Sequence, residues 1–148
     1  MFLADITYIK KCNRQTLIKQ RNSIEIINKA INDVLNELCL TNMSTLTGRL
    51  DAVKCLLHIN KNTPIYVNND LILAPVYSSR HWEQILVNIC LIEALINLGD
   101  KTRIKFYDGT LLDIYVSTNK IKRIIEKSLK IKEYSFMKEE KINGKEKY

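Results

Sequence analysis

The apolar positions of this chain change period several times, and each change marks a predicted element. Residues 5–20, "DITYIKKCNRQTLIKQ", alternate loosely around a polar KCNRQ centre, which predicts two short strands joined by a basic turn. From Ser23 the rhythm becomes helical: Ile24, Ile27, Ile31, Val34, Leu35 and Leu38 recur at steps of three and four, while Asn32, Asp33, Asn36 and Glu37 fill the other face. One amphipathic helix of about four turns is expected there, with Ser23 as its cap. After "TNMSTLTGR" come short apolar segments at residues 53–59, 65–67, 71–73 and 85–96, separated by turn-forming "NKNTP", "NND" and the polar knot "SSRHW". These read as strands, the one ahead of the knot ending at Pro75. "TRIKFYDGTLLDIYV" predicts a hairpin, with Arg103, Lys105 and Tyr107 on a wet face, Ile104 and Phe106 on a dry one, and Asp108-Gly109 in the turn. Ser117 is placed to cap a last helix, with Ile121, Ile124, Ile125 and Leu129 as its buried stripe.

The expected fold class is therefore α+β: mostly antiparallel short strands with one internal amphipathic helix and a C-terminal helix. A single domain over residues 1–134 is expected, followed by a charged tail, 135–148, with little to bury and predicted to fray. At 148 residues, 46% of them hydrophobic, a chain buries roughly two-thirds of its unfolded surface and needs no disulfide or metal staple. Cys12, Cys39, Cys55 and Cys90 lie far apart with no CxxC, as buried thiols in a reducing cytosol would. "ILVNICLIEALINL" is too short and too often interrupted, by Asn88, Glu93 and Asn97, to span a bilayer, and "MFLADITYIKK" lacks the shape of a secretory signal. The expected location is the cytoplasm, with no membrane partner.

Charge changes this picture by its placement. Residues 1–24 carry five basic residues against Asp5, a net of +4; residues 120–148 carry a net of +5; the 95 residues between them carry −2. Positive ends around a near-neutral middle favour a polyanionic partner, nucleic acid first.

Catalytic chemistry is not evident. The two histidines are His58, in an apolar segment and read as a core or boundary residue, and His81, between Arg80 and Trp82. No phosphate loop, nucleophile elbow or zinc motif occurs, so no catalytic residue, metal ligand or cofactor is assigned. An enzyme reading would need a pocket gathering His81 with carboxylates such as Glu83 and Glu93. The knot suits nucleic acid better, because arginine beside hydroxyls and an aromatic ring can grip phosphate while the ring packs on sugar or base. No helix-turn-helix pattern is present, so loops and strands would do the reading.

The segment from Asn36 to Ser79 holds Cys39, Ser44, Gly48-Arg49, Lys61, Pro64-Ile65, Pro75 and Ser78 in an order that resembles the ComK family of competence transcription factors. The resemblance continues through "TRIKFYDG" and Val116-Ser117-Thr118-Asn119. It implies a DNA-binding transcriptional activator that recognises AT-rich double-stranded DNA largely from the minor groove, as a homo-oligomer, with RNA polymerase and a protease adaptor as protein partners. On that basis Arg49, Arg80, His81 and Asn119 are the expected groove-facing residues, and Lys120, Lys122 and Arg123 the phosphate contacts. The second half, "ILVNICLIEAL" followed by a hairpin, "VS" and a helix, is also similar to LytTR DNA-binding domains. A protein-interaction module that has lost its DNA face is the remaining alternative.

Overall fold

The computed structural model describes residues 3–77 and 83–146. Among these residues nine strands and three helices follow a short 3-10 turn at Leu3–Asp5: β1 (Ile6–Cys12), β2 (Gln15–Gln20), β3 (Ser23–Ile27), α1 (Ile31–Leu40), α2 (Leu46–Leu57), β4 (Ile65–Asn68), β5 (Leu71–Tyr77), β6 (Ile85–Asn88), β7 (Ile92–Asn97), β8 (Thr102–Phe106), β9 (Leu111–Ile114) and α3 (Thr118–Glu146). The class is α+β. Six antiparallel strands form one sheet in the order β3-β2-β1-β6-β5-β4, and β7-β8-β9 form a second, smaller one.

The larger sheet is covered on both faces, which explains why β5 and β6 are apolar almost without interruption. On one face Ile9, Ile18, Leu71, Leu73 and Leu86 pack against Ile31, Val34, Leu35 and Leu38 of α1. On the other, Ile72, Ala74, Val76, Ile85 and Val87 meet Ile104, Phe106 and Ile114 of the small sheet and Ile121 and Ile124 of α3. Side chains alternate between faces along a strand, so Leu71 and Leu73 serve one layer and Ile72 and Ala74 the other. Ile6 and Ile9, three residues apart, share a face because the pairing of β1 with β2 shifts register between Ile6 and Tyr8, and such a bulge resets the alternation.

Several elements differ from expectation. The helix predicted from Ser23 is a strand, β3, followed only at Ile31 by α1; Ile24 and Ile26 alternate in the pairing with β2, and helical spacing of Ile27 and Ile31 across the break is coincidental. Ala30, not Ser23, precedes α1, and it offers no side-chain cap. Residues 53–57 belong to a second internal helix, α2, capped by Thr45, whose Oγ1 accepts from the Gly48 amide at 2.9 Å. His58 ends that helix at φ +56°, exposed to solvent and in no strand or core. The apolar run 85–96 splits into β6, a 3-10 turn and β7, the last in the second sheet.

Pro75 does not end its strand: β5 continues to Tyr77, and the proline is tolerated because β4 reaches only to Leu73 on that side. On α3, Ile121 and Ile124 are buried as predicted, but Leu129 is 43% exposed and Ser128 takes the inward position, its Oγ donating to the Ile124 carbonyl. The helix runs past Tyr134, where fraying was expected. Ser135 there lies 3.2 Å from Tyr66 Oη and within hydrogen-bond reach of Asn69 Oδ1, at 3.3 Å. Of the four free cysteines, Cys39 is buried and Cys12 and Cys90 partly so, but Cys55 is exposed on α2. Burial raises the Cys39 and Cys90 thiols above their usual range. No helix among the described residues is long and apolar enough to cross a membrane.

Candidate nucleic-acid interface

One end of the large sheet collects three pieces of chain. In β1, Lys10 pairs with Ile85 of β6, and the Lys11 amide donates to the Gln84 carbonyl at 2.8 Å, so the β1–β2 turn at Asn13-Arg14 sits beside the start of β6. Tyr77, the last residue of β5, pairs with the same Ile85. Its Oη accepts from the Tyr115 amide at 2.7 Å, which ties this end to the segment leading into α3. The β1–β2 turn and the opening of α3 are thus held at one end by strand pairing and a single phenol.

The start of α3 is fixed by hydroxyls. Ser117 Oγ accepts from the Lys120 amide at 3.3 Å, the cap its position predicted. Thr102, fully buried on β8, donates to the Val116 carbonyl at 2.8 Å and lies 2.8 Å from Thr118 Oγ1. From this support Asn119, Lys120, Lys122 and Arg123 all project into solvent. Among the described residues Arg123 Nε reaches only the Asn119 carbonyl, at 3.5 Å. None of Lys11, Arg14, Lys120, Lys122 and Arg123 makes an ion pair among the described residues, whereas Lys10 is held by Glu83, which raises its pKa. Uncompensated cations around helix and turn backbone are what a polyphosphate surface needs.

Arg49 stands apart from this group. It lies half-buried on α2, donating from Nη2 to the Asn42 carbonyl at 3.2 Å, with its guanidinium carbon 5.2 Å from the Tyr66 ring centroid. Its Nε is enclosed with no hydrogen-bond partner among the described residues. It borders an apolar cavity of about 270 Å³ with Val53, Leu57, Ile131 and Tyr134, and Ile131 lies eight residues beyond Arg123, about 12 Å along α3. Arg80 and His81 fall outside the described residues.

Of the residues singled out from sequence, the structure therefore brings Asn119, Lys120, Lys122 and Arg123 together and separates Arg49 from them. Lys11 and Arg14 join the same end although sequence reasoning named them only as part of a basic turn. Their signal was the +4 of the first 24 residues; their proximity to α3 depends on pairings more than 70 residues apart.

A family profile described as ComK protein matches residues 1–143, and the chain belongs to that family. It is a DNA-binding transcription regulator. Among solved structures, a LytTr DNA-binding domain from Bacillus cereus is similar over 84% of each chain, at 9% identity and a TM-score of 0.42. No curated protein matches the chain.

Proposed function

We propose that this chain is a transcriptional activator of the competence type, which docks AT-rich double-stranded DNA on the end carrying the β1–β2 turn and the first turns of α3. The observation that supports it most is the gathering of Lys11, Arg14, Lys120, Lys122 and Arg123 there without ion-pair partners among the described residues. The lysines supply phosphate affinity. Arg14, exposed at the tip of a hairpin, joins Arg80, His81 and Asn119 as a side chain able to enter a narrow minor groove, where A-tracts concentrate negative potential. The protein acts in the cytoplasm as a homo-oligomer on DNA, with RNA polymerase and a protease adaptor as protein partners.

The test is fluorescence anisotropy with AT-rich and GC-rich duplexes of equal length, titrated between about 50 and 200 mM salt. Tighter binding to the AT-rich duplex is expected, with affinity falling steeply with salt. Equal affinity for both duplexes, or none at the lowest salt, overturns the AT-rich reading. A protein partner captured by a chain that does not bind DNA would favour the interaction-module alternative.

A further inference from the structure

A cleft of about 350 Å³, separate from the cavity beside Arg49, opens between α1, α2, the loop 58–64 and the sheet face they cover. Leu35, Leu50 and Leu86 give it apolar walls, and Gln84 stands among them. Strand alternation explains the placement: Gln84 lies two residues before Leu86, its carbonyl accepts from the Lys11 amide, and its side chain shares the face of Leu86. Gln84 is only 7% exposed, and its carboxamide makes no hydrogen bond among the described residues. Neither amide atom is fully enclosed, so the surface they keep is the cleft wall that Gln84 lines. A carboxamide withdrawn from bulk water without a partner in the fold is unfavourable, and a ligand that pairs with it removes the penalty.

We propose that this cleft binds an adenine nucleotide. A carboxamide sets an N–H donor beside a carbonyl acceptor in one plane, so its complement is a planar edge carrying an acceptor beside a donor. The N7 and N6 edge of adenine has that pattern and takes a glutamine bidentately, while the apolar walls suit the faces of the base. Lys54 of α2 is the one charged side chain among the described lining residues, exposed and in no ion pair among them. An ammonium with no carboxylate beside it suits a phosphate. Asn60 and Asn62, exposed and with no side-chain hydrogen bond among the described residues, suit the ribose hydroxyls. Their loop is held in place: Thr63 Oγ1 donates to the Ile59 carbonyl at 3.3 Å, and Lys127 Nζ to the Lys61 carbonyl at 3.1 Å.

The volume lies at the small end of the roughly 300–1,000 Å³ of small-molecule sites, which fits one nucleoside monophosphate and not a dinucleotide. A cleft of that size, open to solvent at its asparagines and Lys54, gives a dissociation constant on the order of 100 μM. The inference does not rest on the DNA reading. None of the described residues lining the cleft belongs to the basic end, so either reading can fail while the other stands.

Isothermal titration calorimetry of the full chain without DNA tests it, with AMP, GMP, adenosine and ribose 5-phosphate as probes. AMP should bind best. GMP should bind about tenfold more weakly, because the N7 and O6 edge of guanine carries two acceptors and leaves the Gln84 oxygen unpaired. Gln84→Leu should weaken AMP at least about tenfold while melting no lower than wild type, since a leucine there has no polar group to pair. Lys54→Ala, at an exposed position, should weaken AMP and leave adenosine unchanged. Replacing Lys120, Lys122 and Arg123 by alanine should leave AMP affinity within about twofold. No binding of AMP at about 5 mM overturns the proposal, as does GMP or ribose 5-phosphate binding as tightly as AMP. So does a folded Gln84→Leu chain that binds AMP like wild type, or loss of AMP binding in the triple alanine variant, which would place the nucleotide on the basic end.

Discussion

Polar side chains serve the molecule in opposite ways at the middle of the large sheet and at its basic end. In the middle, Asn88 is fully buried and all its hydrogen-bonding groups are used: Nδ2 donates to the carbonyls of Ile6 and Asp70 at 2.9 and 3.0 Å, and Oδ1 accepts from the amides of Ile72 and Cys90 at 3.3 and 3.1 Å. It joins β1, β5 and the turn after β6. Arg49 is likewise knitted to Asn42 and Tyr66. At the basic end, by contrast, hydroxyls hold the backbone and, apart from Lys10 on Glu83, the cations make no ion pair among the described residues. A polar residue's role in this chain follows from whether its partners lie within the fold, and its residue type alone does not reveal it.

The largest effect expected from breaking that contrast is at Asn88. Asn88→Ala would leave two carbonyls and two amides unsatisfied in or near the core, at a cost of about 3 kcal/mol or more. Chemical denaturation should show the loss as a lower midpoint. A loss below about 1 kcal/mol would mean that water or a shifted backbone takes over the four contacts.

Next comes Arg49. Arg49→Ala removes a hydrogen bond, the cation–π contact and the packing of the stem, and should cost about 1–2 kcal/mol, while DNA affinity of the folded protein stays within about twofold. Arg49→Met keeps the stem and removes the enclosed, unpartnered Nε, so it should cost less than the alanine variant. The contrast fails at this residue if Arg49→Ala weakens DNA binding tenfold with an unchanged melting temperature.

At the basic end the pattern reverses. Replacing Lys120, Lys122 and Arg123 together by alanine should lower affinity about tenfold at moderate salt and reduce the slope of log affinity against log salt by about 2 to 3. Stability should change by less than about 0.5 kcal/mol, since all three are exposed and unpaired among the described residues. An unchanged salt slope would remove α3 from the DNA surface. Lys11→Ala with Arg14→Ala should give a smaller loss of the same kind.

How much of this was legible beforehand differs by element. The β8–β9 hairpin was, because alternation of Arg103, Ile104, Lys105 and Phe106 and an Asp-Gly turn with Gly109 at φ +89° are local signals. So was the Ser117 cap. Helix α2 was not: Val53 is its only buried residue, so it lacks a strong apolar stripe, and "VKCLLHI" reads equally well as a strand. The length of the first helix was misjudged because β3 is exposed on an edge and its isoleucines mimic a helical step. At the site, the charge at both ends was readable. That both lie toward one end of the large sheet was not, since Lys10–Ile85 and Tyr77–Tyr115 are long-range contacts. The packing of Arg49 was not legible for the related reason that a Gly-Arg step says nothing about the Tyr66 ring above it.

Arg103 sharpens the comparison from an intermediate position, and its test has the smallest expected effect. Its side chain is 37% exposed, but its Nε and Nη2 both donate to Asp113, at 2.8 and 3.1 Å, and Lys101 adds a third contact at 3.1 Å. Those hydrogen bonds hold the Asp113 carboxyl at about 2. Because the folded value lies below that of an unfolded aspartate, near 3.9, the stabilisation is full above the unfolded value and is lost as pH falls through about 2. Asp113→Asn should therefore flatten part of the fall in melting temperature between about pH 4 and 2 and leave a small uniform loss at neutral pH. It should also free Arg103 and Lys101. If accessibility alone made an arginine a DNA contact, removing Asp113 would leave the salt slope as it is; if a missing carboxylate is what distinguishes Arg123 from Arg103, the variant should bind DNA slightly more tightly and with a steeper slope.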